Sequence, residues 1–510
     1  MLMHSLLLNA AERQPEHAAF TWVDRKKTLN YGQAAQAMEH MAGALHSLGV
    51  RKGDRVTIVA HNGMDYLIAM LGAWRIGAIS ALVNVKFAEQ LDYYFSDHTP
   101  KVVIYTHDLA HEVHTAAAQA SCISHLICMD GPGANALSLP ELLQAQLPAP
   151  PDPADEQAIA HLSYTSGTTG KPKGACLMHE PTVRASRCIG ERLRLRSSDV
   201  SFGPTALSSS YQLVANLLPP LSVGASVHVM RFWTAESGWE ALDLANASHL
   251  VGNPTILQDI LEASAIRGCP PRNLRLGLSG GGPVPVALKR AWRDTLKLPL
   301  VESFGQSELG GFMALGYPEL EPNDSKLQRV GPPLPDKEVR ITSPQGTPLA
   351  PNQVGQITLT GGFMWGYWGK EEATAKALHS GSLHTGDLGL MDEEGFITMR
   401  GRESEQFVVN EQTWFSRDIE EGLCLQDGVR QAALVNAATT ASERCMPMAY
   451  ITLKPGFSKE TFDLEQTKLR LQTLLSRDIG FLQISVMDEF PMTPTGKIAK
   501  STLSELARLC

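Results

Sequence analysis

Tyr164-Thr165-Ser166-Gly167-Thr168-Thr169-Gly170-Lys171-Pro172-Lys173-Gly174 is the stretch on which the reading of this chain turns. It packs four Ser/Thr hydroxyls, three glycines and two lysines into one loop, directly after a predicted strand over 158–164. Hydroxyls and backbone N–H groups freed by glycine can surround phosphate oxygens, and a lysine neutralises their charge. The common nucleotide P-loop needs G-x-x-x-x-G-K-[ST] opening a helix. Here the glycines stand closer together, and Pro172 after the lysine disfavours helix. Composition alone fits a flexible linker equally well. The position after a strand, with both lysines, favours a phosphate loop.

Outward from that loop, short β-branched runs alternate with helix-like stretches: strands over 55–60, 78–84 and 102–105, with a helix over 65–77. Runs over 225–230, 248–252, 274–279 and 300–303 each read as a buried strand ending at a loop. This is the rhythm of βαβ units and a largely parallel sheet, where ligand chemistry gathers at strand ends. The Pro-rich segment 147–154 reads as a domain linker or a surface crossing. Beyond Gln353, shorter alternating strands and the acidic turn Asp392-Glu393-Glu394-Gly395 suggest an antiparallel subdomain. The main boundary falls at Gly401-Arg402, dividing the chain into 1–401 and 402–510.

A chain of 510 residues is too long for one ordinary core. Its 43% hydrophobic and 19% charged residues suit a globular protein without membrane insertion, and cytoplasmic. A net charge of −9 with no basic arm excludes nucleic acid as an expected partner. Cys122, Cys128, Cys176, Cys188, Cys269, Cys424, Cys445 and Cys510 are scattered, with no CxxC pair, and read as reduced, mostly buried thiols. The start reads as an amphipathic helix rather than a secretory signal.

The loop at 164–174 resembles the phosphate-loop signature of the adenylate-forming superfamily, which includes acyl-CoA synthetases (AMP-dependent acid–CoA ligases), peptide-synthetase adenylation domains and firefly luciferase. Further motifs follow in that family's order. Ser279-Gly280-Gly281-Gly282-Pro283 is similar to its glycine turn beside adenine, and Glu302-Ser303-Phe304-Gly305-Gln306-Ser307-Glu308 to its aromatic-Gly-x-Thr-Glu element. The resemblance implies Phe304 and Gly305 against the nucleotide, Ser307 near the phosphate and Glu308 holding Mg²⁺, as a hard cation wants a carboxylate. His384-Thr385-Gly386-Asp387-Leu388-Gly389 resembles the ribose motif, with Asp387 accepting from both ribose hydroxyls. Arg402 matches the arginine that approaches the nucleotide. Pro491-Met492-Thr493-Pro494-Thr495-Gly496-Lys497-Ile498 resembles the loop that delivers the catalytic lysine, Lys497. Thr165, Ser166, Gly167, Thr168, Thr169, Gly170 and Lys171 would hold the phosphates, and Gly280, Gly281 and Gly282 the adenine.

The resemblance implies an α/β fold: a large N-terminal domain of layered β-sheets and helices plus an antiparallel subdomain, and a small mobile α+β C-terminal domain carrying Lys497. It implies ATP-dependent activation of a carboxylic acid to acyl-AMP with pyrophosphate release, then transfer to coenzyme A, with ATP, Mg²⁺ and coenzyme A as cofactors. Rotation of the small domain would swap Lys497 out of the site. A homodimer is compatible with all of this. Two departures stand out. Ser404 takes the hinge place usual for Asp or Lys, and Asn410-Glu411 the place of a glycine pair past which the pantetheine arm runs. Adenylation is thus better supported than thioester formation, and a carrier protein acting in trans is the alternative acceptor. A non-catalytic nucleotide-binding descendant is the other alternative. At Pro204-Thr205-Ala206-Leu207-Ser208-Ser209-Ser210-Tyr211 small residues replace the family's bulky ones, which makes room for a bulky or cyclic acid.

Overall fold

The computed structural model describes residues 1–165, 171–436, 447–493 and 496–508. Two large sheets share one core. In the first, strands run in the order Leu137–Ser138, His125–Cys128, Val102–Tyr105, Arg55–Val59, Ile79–Leu82, Ile159–Tyr164 and Gly174–Met178, all parallel but the last. In the second, Leu300–Gln306, Leu276–Ser279, His249–Gly252, Val200–Gly203, Ser226–Val229 and Ala18–Trp22 form a parallel set, with antiparallel Gly311–Leu315 and Lys27–Asn30 at its edges.

Between them lies the helix Met64–Arg75, apolar around its whole circumference and buried from Tyr66 to Trp74, as such a helix must be. Its core contains Val56 and Ile58 of the first sheet and Phe20, Val227 and Val229 of the second. Gly72 is where the helix meets its neighbour Tyr31–Ser47: a Cβ there would lie 2.6 Å from Met41 Cγ. The neighbour starts on an Asn30/Gln33 capping box, which satisfies two first-turn N–H groups.

Residues 147–154 cross the surface between strands of one sheet, so of the two readings the surface crossing holds. Pro150 accepts from Arg75 there, at 3.1 Å. The antiparallel part begins earlier than Gln353, with Glu338–Thr342, followed by Gly355–Thr360, Ser382–Met391 and Ile397–Arg402. In the acidic turn, Asp392 accepts from the N–H groups of Glu394 and Phe396. The smaller α+β part holds the hairpin Phe407–Val409/Gln412–Trp414 and the three-stranded sheet Val429–Asn436, Pro447–Leu453, Gln483–Val486. Helices Ser416–Cys424 and Leu464–Leu475 pack on its core. Among the described cysteines all six are free thiols, three of them buried. No helix of the described residues is long and apolar enough to cross a membrane.

Candidate active site

One cleft collects the loops that leave the carboxyl ends of parallel strands from both large sheets. Tyr164 and Thr165 reach it from Ile159–Tyr164, Asn253 from His249–Gly252, and Gly280 and Gly281 from Leu276–Ser279. Gly305, Gln306 and Ser307 come from the end of Leu300–Gln306, and Thr205 and Ser208 to Tyr211 from the loop after Val200–Gly203. Lys497, from the C-terminal part, closes the ring.

The phosphate-loop candidate joins two antiparallel strands rather than opening a helix, in line with Pro172. Its ends are clamped. Thr165 N donates to Lys173 O at 2.9 Å, and Lys173 N to Thr165 Oγ1 at 3.3 Å. Behind it, Tyr164 Oη donates to the buried Asp97 at 2.8 Å, and Lys370 pairs with the other Asp97 oxygen at 2.6 Å. Lys171 lies over the Tyr93 ring at 5.0 Å, outside the cleft lining. Ser166, Gly167, Thr168, Thr169 and Gly170 lie outside the described residues.

Gly280 has a packing reason to be glycine, since a Cβ would stand 2.3 Å from Ser303 Oγ and 2.9 Å from the Tyr211 ring. Gly281 has φ +76°, the left-handed region where glycine is unstrained. Gly282 is half-exposed beside them and does not line the cleft. Phe304 is half-buried and packs on the main core, also outside the lining. Ser307 Oγ lies 3.3 Å from Ser210 Oγ. Glu308 is not a loose surface carboxylate: Tyr367 Oη donates to it at 2.6 Å, and Lys173 Nζ sits 4.5 Å from the Tyr367 ring centre. Burial and the adjacent Glu308 charge both raise the Tyr367 pKa, keeping that proton on the phenol.

Asp387 is held from two sides. Its Oδ1 pairs with Arg402 Nε at 3.0 Å, and its Oδ2 accepts from Gln306 Nε2 at 2.5 Å. Burial nevertheless dominates and pushes its pKa up to about 6, against the opposing pull of Arg402 and Lys497. Lys497 keeps solvent-exposed area, yet its ammonium is crowded by the cleft walls. That desolvation, with repulsion from Arg402, lowers its pKa, while Asp387 and Glu308 act against the shift. Lys497, which lines the cleft, therefore lies within electrostatic reach of Arg402, Asp387 and Glu308. Gln306 and Tyr367 were not singled out from sequence as functional, although Gln306 sits inside the motif at 302–308. Asn253 falls in the stretch 251–255, which sequence places opposite 204–211 in the acyl pocket, and it lines the cleft.

Comparison with known proteins agrees with this geometry. The AMP-binding enzyme family model matches residues 7–368. The 4-hydroxybenzoate–CoA/benzoate–CoA ligase of Rhodopseudomonas palustris is 28% identical over 509 residues, covering 98% of this chain and 92% of the relative. The 3-hydroxybenzoate–CoA ligase of Aromatoleum sp. is 26% identical over 499 residues, covering 94% and 92%. Among solved structures, the anthranilate CoA ligase AuaEII in complex with anthranoyl-AMP superposes with a TM-score of 0.91 at 21% identity, covering 100% of this chain and 98% of that one. At that identity the likeness speaks for the fold. With a family match over most of its length and the site at the expected strand ends, the chain belongs to the AMP-binding enzyme family.

Proposed function

We propose that this chain is an AMP-forming acid–CoA ligase that activates an aromatic carboxylic acid. The observation that carries the reading is that Lys497 lines a cleft holding the Tyr211–Phe312 pair, ring centroids 5.8 Å apart, while standing within electrostatic reach of Asp387, Arg402 and Glu308. Four glycines, Gly280, Gly281, Gly305 and Gly311, line the same cleft beside this aromatic pair and take no side-chain volume from it. A flat ring suits a cleft lined by aromatic faces and glycines, and the relatives named for benzoates and hydroxybenzoates support the reading.

In the first step a carboxylate oxygen of the acid attacks the α-phosphorus of ATP, the bond to the bridging oxygen breaks and pyrophosphate leaves. Two anions must meet, so Lys497 placed between them stabilises the charge spread over the transferring group. Asp387 accepts from the ribose hydroxyls, Arg402 approaches the nucleotide, and Phe304 with Gly280 to Gly282 forms the adenine side. The loop from Thr165 to Lys171 holds the phosphates. The Glu308 carboxylate with the Ser307 and Thr165 hydroxyls is an all-oxygen donor set that suits Mg²⁺, which would neutralise triphosphate charge. In the second step the coenzyme A thiolate attacks the acyl carbonyl and AMP leaves. For that step residues 402–510 rotate as a domain against 1–401.

A carrier protein as acceptor is favoured by one feature, the exposed Asn410-Glu411 tip of the hairpin. Comparing thioester formation on free coenzyme A and on a carrier protein separates the two acceptors. Substrate choice is tested at Ser208, which lines the cleft while Ala206 does not. Ser208→Phe is expected to lower kcat/KM for substituted benzoates by about tenfold or more while sparing a short aliphatic acid. Unchanged selectivity contradicts aryl binding in this cleft.

A further inference from the structure

We infer that Asn253 is a positioning residue for Lys497, and that the helix it caps, Pro254–Arg267, is the seat on which the C-terminal part docks for adenylate formation; this rests on the function proposed above for Lys497. Asn253 uses both ends of its amide. Its Oδ1 accepts from Ile256 N at 3.0 Å and caps the helix, and its Nδ2 donates to Gly496 O at 3.2 Å, across 243 positions of sequence. Gly496 immediately precedes Lys497 and has φ +80°. A Cβ on it would stand 2.7 Å from Asn253 Nδ2, so the approach itself calls for glycine.

The same helix makes further contacts with the C-terminal part. Arg430 pairs with Asp259 at 3.4 Å and with Glu262 at 3.1 Å, and Gln431 Nε2 donates to Thr255 Oγ1 at 3.4 Å. These contacts lie on successive turns, so they fix the rotation of the incoming domain as well as its distance. At the lysine loop itself, Asn253 is what ties the backbone beside Lys497 to the rim of the cleft, which both Asn253 and Lys497 line. A lysine misplaced by about 1 Å loses much of its effect on the transition state, and that gives one neutral hydrogen bond its leverage.

The cap and the seat can be separated. Asn253→Ser keeps an N-capping oxygen but is too short to reach Gly496, and Asn253→Asp keeps the cap and the size but has no donor. In the full chain both variants are expected to retain amide protection within Pro254–Arg267 while the Gly496, Lys497 and Ala499 amides exchange about fivefold faster. Single-turnover adenylate formation from a benzoate and MgATP is expected to slow by about fivefold or more. Transfer from a supplied benzoyl adenylate to coenzyme A is expected to stay within about twofold. Wild-type exchange at Gly496 to Ala499 in both variants overturns the inference, as does an equal fall in both half-reactions. Wild-type protein that shows no acid-dependent pyrophosphate release overturns the functional reading itself, a result seen before any variant is made.

Discussion

Asp387 is asked to be an acceptor in a place that disfavours its charge. Its pKa of about 6 lies above that of an unfolded aspartate, so as pH falls the folded chain takes up this proton first. The sign is opposite to that of a surface ion pair: the stability this group confers is fully present below about pH 4 and is lost as pH rises through about 6. In the ribose-binding role proposed for it function runs the other way, because a protonated Asp387 loses acceptor capacity. The KM for ATP is expected to rise as pH drops below about 6, and Asp387→Asn is expected to raise KM at pH 7 and flatten that dependence. A wild-type KM that stays level from pH 7 to pH 5 contradicts this. Glu308 offers a second test. Tyr367→Phe removes a charge-assisted hydrogen bond at 2.6 Å, and the half-saturating Mg²⁺ concentration is expected to rise about three- to tenfold in a metal titration. The proximity of Tyr367 to Glu308 was not legible in sequence. They stand 59 residues apart, and the aromatic run around Tyr367 carries no motif.

The hairpin Phe407–Val409/Gln412–Trp414 turns on two non-glycine residues in the left-handed region, Asn410 at φ 51° and Glu411 at φ 62°. Both central positions of such a two-residue turn need positive φ, which asparagine adopts at little cost and glutamate only under strain. The backbone here therefore suits glycine, the residue that the family pattern carries at both positions. Glu411→Gly relieves about 1–2 kcal/mol of strain against about 0.5–1 kcal/mol of added chain entropy. The C-terminal part is expected to gain about 0.5–1 kcal/mol in thermal unfolding. The same variant is expected to speed transfer to coenzyme A while leaving adenylation unchanged, if the glutamate narrows the path of the thiol arm. Elements elsewhere were readable to within a residue or two where β-branched runs were bounded by polar turns, as in Val102–Tyr105, predicted at those bounds. The strand Leu300–Gln306 ran three residues longer than predicted. Ser303 to Gln306 pair with the edge strand Gly311–Leu315, a partner that periodicity along one segment does not reveal.

At the scale of the molecule, motifs spread from Thr165 to Lys497 converge because each lies where a strand stops or where the C-terminal part touches the larger one. Order along the chain made the family legible. What it did not carry was the docking between the two parts, which besides the contacts of Pro254–Arg267 rests on buried charges of unremarkable sequence context. Arg417 donates to Glu302 at 3.1 Å, Glu302 also pairs with Lys289, and Glu421 accepts from Val286 N at 2.9 Å. Burial acts to raise the Glu302 pKa, and Lys289 with Arg417 overcome it, leaving a carboxylate that stays ionised inside the interface. Removing one partner of such a set strands a charge, so the arrangement that places Lys497 in the cleft is held by pairs that water would have to replace on opening. The most direct measurement of the whole reading is pyrophosphate release from MgATP across benzoic and aliphatic acids, with and without coenzyme A, in wild-type protein and Lys497→Ala. Release that depends on a benzoate, accelerates with coenzyme A and falls by about 10²- to 10³-fold in the variant is the expected result. Release indifferent to the acid, or undiminished in Lys497→Ala, contradicts it.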